Sequence, residues 1–544
     1  MSDNRPQVTV TTSASPQVAV TASGPASVLS TPTRPVFTTA IPGPPGPEGP
    51  QGPAGPQGPP GLAAGWYITP KDYGAIGDGV ADDTVPLQNA FAAAAAQGRP
   101  CVITPGTYMG LNVTVPAGAR IRGTRNGVLM RVSSAASSVL LNLTGSDIHL
   151  DDLVLDGNGS GLGAANSGVV QCGTVGLLGI WVRSCRIANT HNHALRMINT
   201  AGDVHVIGCN FVNIGVSGNG FGVAMNSQNA AAPVAINDVE VAGCTFHRNA
   251  ANTAGYGIQL RGSDDGTTRI LSYARVIGNH VDHSNGSGTG LGIEVWAKYT
   301  VIASNTVRGA GGGLGISFGV SDRGVIVGNT VYNKAVGIEA IAASGAQYVS
   351  CVGNLVETAT TGIVSWSASG RGLLADNVII DVSGTPMRIA GQWGIAVGNL
   401  ITCPAATTGI NTTQSALFTL ICGNTIEIAT TGGSNAIHIN NNTAGVTQRF
   451  AVTGNIVVSA VNGVRVQGTG GATAIQSGTI SGNDLSGATT PIFLDGTTTK
   501  GNVHRWANAG DVPTITGSRA GNAALASFLA AQSSRGLITD STTA

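Results

Sequence analysis

The chain has few charges and few aromatic rings. Of its 544 residues only 10% are charged, with 27 basic and 27 acidic side chains, and 4% are aromatic. A formal net charge of zero removes the electrostatic attraction by which proteins bind nucleic acid or an anionic membrane. The apolar content of 42% argues against a disordered chain, because it is enough to form a core.

Signals of export, membrane insertion and metal binding are also missing. The chain does not begin with a basic segment followed by an apolar one. Its longest run of consecutive apolar residues, 90–96, is too short to span a bilayer. We therefore expect no signal peptide. The eight cysteines include no Cys-x-x-Cys pair and are expected to be buried free thiols. His191, His193 and His205 lack a metal-site spacing with an acid, so neither a metal nor another cofactor is expected.

A short phrase, apolar-x-Gly-Asn-x-apolar, recurs along most of the chain. Between Asn279 and Asn424 its steps are 26, 24, 25, 23, 22 and 25 residues. These lengths suit one coil of a right-handed parallel β-helix, with three short strands and three turns. The Asn and its looser equivalents form one column, with members Asp152, Cys185, Cys209, Cys244, Asn279, Asn305, Asn329, Asn354, Asp376-Asn377, Asn399, Asn424, Asn455 and Asn483.

The asparagine column has a physical role. An inward-turned Asn at a bend pairs its amide with the Asn one coil away, about 4.8 Å along the axis, which satisfies a polar group that is costly to bury alone. The cysteines of the column are expected to be small apolar fillers. The predicted fold class is therefore all-β, a right-handed parallel β-helix solenoid over 113–502 with small helical caps.

The N-terminal part divides into two segments. Residues 1–42 are rich in Thr, Ser, Val, Ala and Pro and have no core-forming pattern, so we expect a linker or attachment segment that orders on a partner. Residues 43–61 contain six Gly-x-y triplets: GPP, GPE, GPQ, GPA, GPQ and GPP. Glycine at every third position is the requirement of a collagen-like triple helix, which implies three chains. The alternative is a stiff single-chain polyproline spacer.

Residues 66–112 lead into the solenoid. DYGAIGDGVADDT at 72–84 is followed by a predicted helix at 86–97 and by CVITPGTY at 101–108. This stretch resembles the opening of the pectate-lyase-like single-stranded β-helix proteins, which include many bacteriophage tailspikes and tail fibres. We expect the helix to cover the first coil with Asp82 or Asp83 as its N-cap; the alternative for these acids is a metal loop.

The C-terminal segment 503–544 contains a predicted helix at 523–532 and is similar to C-terminal segments of phage tail proteins. It is expected to be a cap or a trimer contact. The resemblance and the Gly-x-y triplets together imply a homotrimeric phage tail fibre or tailspike, assembled in the host cytoplasm and located in the virion. Residues 1–42 would attach it to a tail or baseplate protein, and the solenoid would bind bacterial surface polysaccharide. No nucleic acid or membrane insertion is expected.

The resemblance brings no catalytic residues, because the Asn-Thr-Asp, Gly-His-Gly and Arg-x-Lys signatures of the polygalacturonases are absent. Three functions stay open beside adhesion. They are glycan depolymerisation as an added activity, a cellular pectate-lyase-like polysaccharide enzyme, and a purely structural fibre.

A second phrase, Gly-Ile-x, places the candidate site. Strand alternation turns the aliphatic residue inward and the third residue outward, which predicts one external column: Gln259, Glu294, Ser317, Glu339, Val364, Arg388, Asn411, His438 and Arg465. Two residues on, the same face presents Arg261, Trp296 and Trp366. Tryptophan stacks on sugar rings, while Gln, Arg and Glu bond their hydroxyls and carboxylates. The expected glycan-binding residues are Gln259, Arg261, Trp296, Trp366 and Arg388, and a protomer interface is the alternative for both tryptophans.

Glu294 and Glu339 are the candidate catalytic pair of a depolymerase. They lie two coils apart, so their backbones are expected about 9 to 10 Å apart, near the upper limit of the carboxylate separation in inverting glycosidases. One would be the general acid and the other the base that activates water. Asp264, Asp265 and Asp282 are rival carboxylates, and the alternative for the pair is a role as solvated surface acids.

Overall fold

In the computed structural model the chain forms two compact units, Met1–Gly61 and Leu62–Ala544. The structure describes residues 65–494 with short gaps, and outside this range it describes strands alone. The gaps lie at 133–138, 160–167, 173, 175, 198–201, 217–219, 227–235, 253–254, 263–270, 286–287, 320–322, 342–347, 367–369, 413–416, 442–447 and 469–475.

In the first unit the described residues form one antiparallel strand pair, Val8–Thr12 with Val18–Ala22. Both strands coincide with alternating stretches of segment 1–42, where the sequence analysis expected no element. The Gly-x-y segment 43–61 lies outside the described residues, so its triple helix stays a prediction.

The second unit is a right-handed parallel β-solenoid, as the repeat predicts. Each coil contributes three strands, and equivalent strands of successive coils pair in parallel, which gives three faces. Face one is a sheet of sixteen strands: Cys101–Ile103, Arg120–Gly123, Ile148–Asp151, Leu178–Arg183, Gly202–Ile207, Ile236–Ala242, Leu271–Ile277, Thr300–Ala303, Gly324–Val327, Tyr348–Val352, Arg371–Ala375, Trp393–Val397, Phe418–Cys422, Gln448–Thr453, Gln476–Ser481 and Lys500–Trp506.

Faces two and three follow in each coil after the Gly-Asn turn. Face two comprises Asp78–Asp82, Gly106–Gly110, Gly127–Arg131, Val154–Asp156, Arg186–Thr190, Asn210–Ile214, Thr245–Arg248, His280–Asp282, Thr306–Arg308, Val378–Ile380, Leu400–Cys403 and Thr425–Ile428. Face three comprises Val113–Val115, Leu141–Leu143, Gly168–Cys172, His193–Met197, Val223–Asn226, Ile258–Arg261, Ile293–Trp296, Leu314–Phe318, Thr385–Ile389, Thr408–Thr412, Asn435–Asn441 and Ala488–Leu494. In three coils both faces form one long strand: Thr330–Ile341, Leu355–Trp366 and Ile456–Gly468.

The dry interior contains the predicted amide column. Asn305, Asn329 and Asn354 are each 1% exposed. The Nδ2 of Asn305 donates to the Oδ1 of Asn329, and the Nδ2 of Asn329 to the Oδ1 of Asn354, both at 2.9 Å. Each Oδ1 also accepts the backbone N–H of the preceding Asn, as in the 2.9 Å bond from Asn305 N to Asn329 Oδ1. The column therefore closes the turns as well as linking the coils.

One member of the predicted column is wrong. Leu153, at 1% exposure, fills the interior position, together with the buried Cys185 of the next coil. Asp152 stands one residue earlier, where the backbone is left-handed with φ 55, and its carboxylate pairs with Arg122 at 3.3 Å. Ser184 takes the same left-handed position in the next coil, with φ 53. Asp tolerates this conformation well, which explains why an acid stands there.

The α-helix spans Thr84–Ala96 and buries Leu87 and Phe91 against the first strands. Asp83 is the N-cap residue, but its carboxylate does not bond the helix as predicted. It accepts the N–H groups of Ile76 and Gly77 at 2.7 and 3.1 Å, while Asp82 accepts the N–H of Thr84 at 2.9 Å. These acids thus tie the preceding loop to the helix, which is preceded by the short 3-10 helix Pro70–Tyr73.

All eight cysteines are free, and seven of them are buried, as predicted; Cys422 is partly exposed. Burial raises the pKa of the Cys101, Cys172 and Cys351 thiols to about 12. At the C-terminus Thr514–Ser518 pairs in parallel with Thr539–Thr543, and the predicted helix 523–532 lies outside the described residues. Within the described part of the chain, no helix is long and apolar enough to cross a membrane.

Candidate functional site

Face three holds the predicted column in the predicted register. Gln259 lies opposite Glu294, Glu294 opposite Ser317, and Ser317 opposite Glu339. The pairing continues to Val364, Arg388, Asn411, His438 and Arg465. The aliphatic residue before each member points into the solenoid, as Ile293 does at 0% exposure. The sequence period therefore predicted which residues share this face.

The column is less exposed than predicted. Gln259 is 3% and Glu294 5% exposed, and Ser317 and Val364 are also buried. Two residues on, the guanidinium of Arg261 lies over the Trp296 ring, 3.6 Å from its centroid. The Nε of Arg261 is 3.8 Å from the Glu294 carboxylate. The Arg261 side chain thus reaches back to the column, whose early members form a buried floor on face three.

Glu294 is held by polar neighbours on this floor. The Nε2 of Gln259 donates to its Oε2 at 2.8 Å, and the positive charge of Arg261 lies beside the same oxygen. Both contacts favour the charged carboxylate, because a carboxylate accepts hydrogen bonds and is stabilised by a nearby cation. Glu294 is therefore held in place by a hydrogen bond and a neighbouring cation.

Glu339 has a different environment. It is half-buried and separated from Glu294 by Ser317, so two steps of about 4.8 Å place the two backbones about 9.6 Å apart. Burial, and then the charge of Glu294, raise the pKa of Glu339 above its ordinary value. Two carboxylates whose environments push their protonation apart are the arrangement that acid and base catalysis needs.

Tyr256 is a site residue that the sequence analysis missed. Burial, and then the charge of Glu294, raise the pKa of its phenol, which places it near the acid. Its ring packs edge-on against Phe221 at 4.7 Å, and Phe221 in turn lies 4.7 Å from His193. These rings precede the face-three strands at equivalent positions of successive coils. No local sequence signal connects residues that are about 25 to 35 positions apart.

The remaining predicted residues are spread along the face. Arg388 is two coils beyond Glu339, with Val364 between them, so it is not in the same group. Trp366 pairs through its backbone with Ile341, and its side chain lies outside the described residues. Among the rival acids, Asp264 and Asp265 also fall outside the described part. Asp282 lies on face two, where it accepts hydrogen bonds from Ser284.

A different cluster, on face one, contains metal-ligating groups. Ligand atoms of Asp203, His205 and Asp238 lie within 4.8 Å of one another. His205 bonds Asp203 at 2.9 Å and Glu240 at 3.2 Å. The guanidinium of Arg275 pairs with Asp238 at 3.1 Å and with Glu240 at 3.5 Å. Arg275 thus pairs with Asp238 of the cluster and with the neighbouring Glu240, while Asp203 contacts the imidazole of His205.

Comparisons with known proteins give one matching family model and several similar solved structures. The family model described as periplasmic copper-binding protein (NosD) matches residues 182–385, well under half of the chain. The A-module of the mannuronan C-5 epimerase AlgE6 of Azotobacter vinelandii is 16% identical over 80% of this chain and 99% of its own, with a TM-score of 0.36. The surface adhesin PfbA of Streptococcus pneumoniae is 13% identical over 81% and 93%, with a TM-score of 0.36. ORF18 of Geobacillus virus E2 is 17% identical over 57% and 60%, with a TM-score of 0.37.

A search of curated protein sequences gave no significant match. The NosD description prompts a test of the face-one cluster for copper, which prefers imidazole, thiolate and thioether ligands. The cluster offers one imidazole, from His205, and the carboxylates of Asp203 and Asp238, of which Asp238 is paired with Arg275. This donor set does not fit a copper ion.

Proposed function

We propose that the protein is a subunit of a homotrimeric phage tail fibre or tailspike that binds bacterial surface polysaccharide. The observation that carries the binding role is the polar cluster of face three, where Gln259, Glu294, Arg261 and Trp296 meet on a rigid sheet. Its donors and acceptors match sugar hydroxyls and carboxylates, and the Trp296 ring holds the Arg261 guanidinium in place. The Gly-x-y triplets at 43–60 and the tailspike-like opening at 72–84 support the phage trimer.

A solenoid suits this task because its register is repeated. Successive coils present polar side chains from Gln259 to Arg465 at intervals of about 4.8 Å. A linear polysaccharide would make several weak contacts along one chain, and three chains would add avidity without any single tight site.

The binding role is tested with the purified full-length protein and extracted host-envelope polysaccharide. Saturable binding is expected, with a loss of at least tenfold in affinity for Trp296→Ala. Trp66→Ala is the matched control, because Trp66 is 72% exposed and remote in sequence from face three. No binding by the wild-type protein, or an equal loss in both variants, would refute this cluster as the receptor site.

Glycan cleavage is the second candidate function, favoured by the unequal environments of Glu294 and Glu339. Glu339, with its raised pKa, would protonate the leaving oxygen, and Glu294 would take a proton from the attacking water. With the two backbones about 9.6 Å apart, carboxyl groups about 6.5 to 9.5 Å apart would leave room for that water and give inversion at the anomeric carbon.

Cleavage is assayed by sizing the polysaccharide after incubation and by counting reducing ends. Glu294→Gln and Glu339→Gln are each expected to abolish product, while Glu240→Gln on face one retains it. Intact polymer with saturable binding would leave adhesion as the function. A monomeric mass in solution would instead favour a cellular polysaccharide enzyme, and the absence of both cleavage and binding would favour a purely structural fibre.

A further inference from the structure

The outward side of face one is largely apolar and at least partly exposed over eight successive strands, from Leu271–Ile277 to Gln448–Thr453. Its central column includes Val325, Ile395 and Leu420, which are 40%, 37% and 36% exposed. Eight strands at about 4.8 Å and a width of about 17 Å give a patch of roughly 650 Å². Such a patch is at the upper end for a monomer and close to the roughly 800 Å² that each partner buries in a stable protein complex.

A ladder of rings and guanidinium groups borders this patch, one residue per coil. Its central members are Tyr299, Arg323, Tyr348, Arg371, Trp393 and Phe418. Trp393 and Phe418 stack with their centroids 4.0 Å apart, and the guanidinium of Arg371 lies 5.3 Å from the Tyr348 ring and 5.4 Å from the Trp393 ring.

The ladder turns its ring faces along the solenoid axis, toward the neighbouring coils. A sugar ring stacks on the face of an aromatic ring, and here that face is already occupied by a ring or a guanidinium. The outward edges nevertheless stay open, since Tyr299 and Trp393 are 41% and 44% exposed. Exposed edges of aromatic rings beside an aliphatic patch suit contact with a protein surface better than contact with a glycan.

The apolar surface continues around the Gly-Asn corner onto face two. Leu400 and Ile456 are 41% and 48% exposed there. A second copy that packs against this corner would therefore bury parts of two adjoining faces.

The two faces carry opposite charges. The face-one strands between Gly324–Val327 and Gln448–Thr453 contain no acidic residue, and their ladder adds Arg323, Arg371 and Arg449. Between 355 and 428 the acids are Glu357 and Glu427 in face-two strands, Asp381 directly after the strand Val378–Ile380, and Asp376 in the turn from face one, and no basic residue occurs in the face-two strands. Such charges favour contact of face one with face two, and disfavour contact of either face with itself.

We propose that face one of each chain packs against face two of a second copy, and that this heterologous contact repeats until three chains close a ring. Contact between different faces generates a ring when the rotation closes. The number three rests on the proposed trimeric fibre and its Gly-x-y triplets. Arg371 and Asp381 belong to the same coil, so side-by-side parallel copies bring Arg371 of one chain to the height of Asp381 in the next.

The first test is charge reversal in the full-length protein, with the subunit dissociation constant measured by sedimentation. Arg371→Glu and Asp381→Arg are each expected to weaken assembly at least tenfold, and the double variant to recover most of the loss. Arg308→Glu is the matched control, because Arg308 is an exposed arginine of face two that precedes the acidic stretch. Weakening by the control as large as that by Arg371→Glu would overturn the assignment.

The second test uses Cys422, the partly exposed cysteine at the end of a face-one strand. In the assembled wild-type protein its thiol is expected to resist maleimide, and Ile395→Arg is expected to speed its labelling at least tenfold even if other segments keep the chains together. Cys422→Ser identifies the labelled thiol, and Val80→Arg, at a residue 85% exposed, controls for added charge.

The outcomes separate this interface from the function proposed above. Rapid labelling of Cys422 in a wild-type trimer would overturn the interface and leave a trimeric adhesin standing. A monomeric wild-type protein would overturn both. Loss of saccharide binding in Trp393→Ala, with assembly unchanged, would assign face one to the glycan and overturn the interface.

Discussion

Four hydrogen bonds join the side chain of Asn354 to neighbouring coils in the dry interior of the solenoid. Its Oδ1 accepts the backbone N–H of Asn329 at 3.0 Å and the Nδ2 of Asn329 at 2.9 Å. Its Nδ2 donates to the Oδ1 of Asn377 at 2.9 Å and to the carbonyl oxygen of Ile326 at 3.0 Å. Because Asn354 is 1% exposed, water cannot replace these bonds without opening the coil.

Asn354→Ala is expected to destabilise the protein by about 4 kcal/mol, at about 1 kcal/mol for each buried hydrogen bond. Asn354→Asp keeps the volume and both acceptor bonds, but it sets a buried carboxylate against the Oδ1 of Asn377. At neutral pH it is therefore expected to lose at least as much. Asn210→Ala is the control, because Asn210 is exposed and accepts one bond, from Thr245. It is expected to change stability by less than about 0.5 kcal/mol.

The measurement is guanidinium denaturation followed by far-ultraviolet circular dichroism, with the midpoint and slope compared between variants. A loss below about 1 kcal/mol for Asn354→Ala would show that the amide column does not hold the coils together. A small effect of Asn354→Asp would show that volume alone matters at this position.

Three further outcomes follow from other parts of the solenoid. The pKa of Glu339 is raised in the folded protein by burial and then by Glu294, so its stabilising contribution is complete below its ordinary value of 4.5 and is lost as pH rises through the folded pKa. Glu339→Gln should therefore remove the fall of the denaturation midpoint with rising pH. A midpoint that falls with pH as steeply in the variant as in the wild type would contradict this. Burial, and then Arg248, lower the pKa of Lys334 from 10.5 to about 7, so between these values the unfolded chain binds a proton that the folded chain does not. The wild type should gain stability across that window relative to Lys334→Met, and a flat difference would refute this. A Cβ on Gly315 would overlap Val331 and the carbonyl oxygen of Gly337, so Gly315→Ala should cost about 1–3 kcal/mol, and an unshifted melting temperature would contradict the close approach.

The repeat could be predicted from the sequence because equivalent interior positions of a solenoid recur once in each coil. Each inward amide must meet its equivalent one coil away, so the spacing of Asn305, Asn329 and Asn354 was enough to predict the column and the strands around it. The same register correctly grouped Gln259, Glu294 and Glu339 on face three. The predicted column was wrong by one residue at Asp152, because an acid suits the left-handed turn that precedes the interior position.

Contacts between coils decided how far the side chains of the candidate site are buried and how their pKa values are shifted. Alternation predicts that Glu294 points outward, but its burial depends on how Arg261 folds over Trp296, a side-chain conformation that no local pattern encodes. Burial, and then the charge of Glu294 on the next coil, raise the pKa of Tyr256, which stands two residues before its strand. The ladder of face one likewise joins residues about 25 positions apart, each unremarkable in its own stretch of sequence.

The amino-acid sequence by itself thus determined the coil, its register and the side of the sheet on which each residue lies, because these follow from the period of strands and turns. Tertiary structure alone decided which outward side chains are covered, which carboxylate is raised in pKa and which aromatic rings stack, as with Glu339 and Trp393. Burial and protonation depend on neighbours that are distant in the chain, and only the stacking of the coils brings those neighbours together.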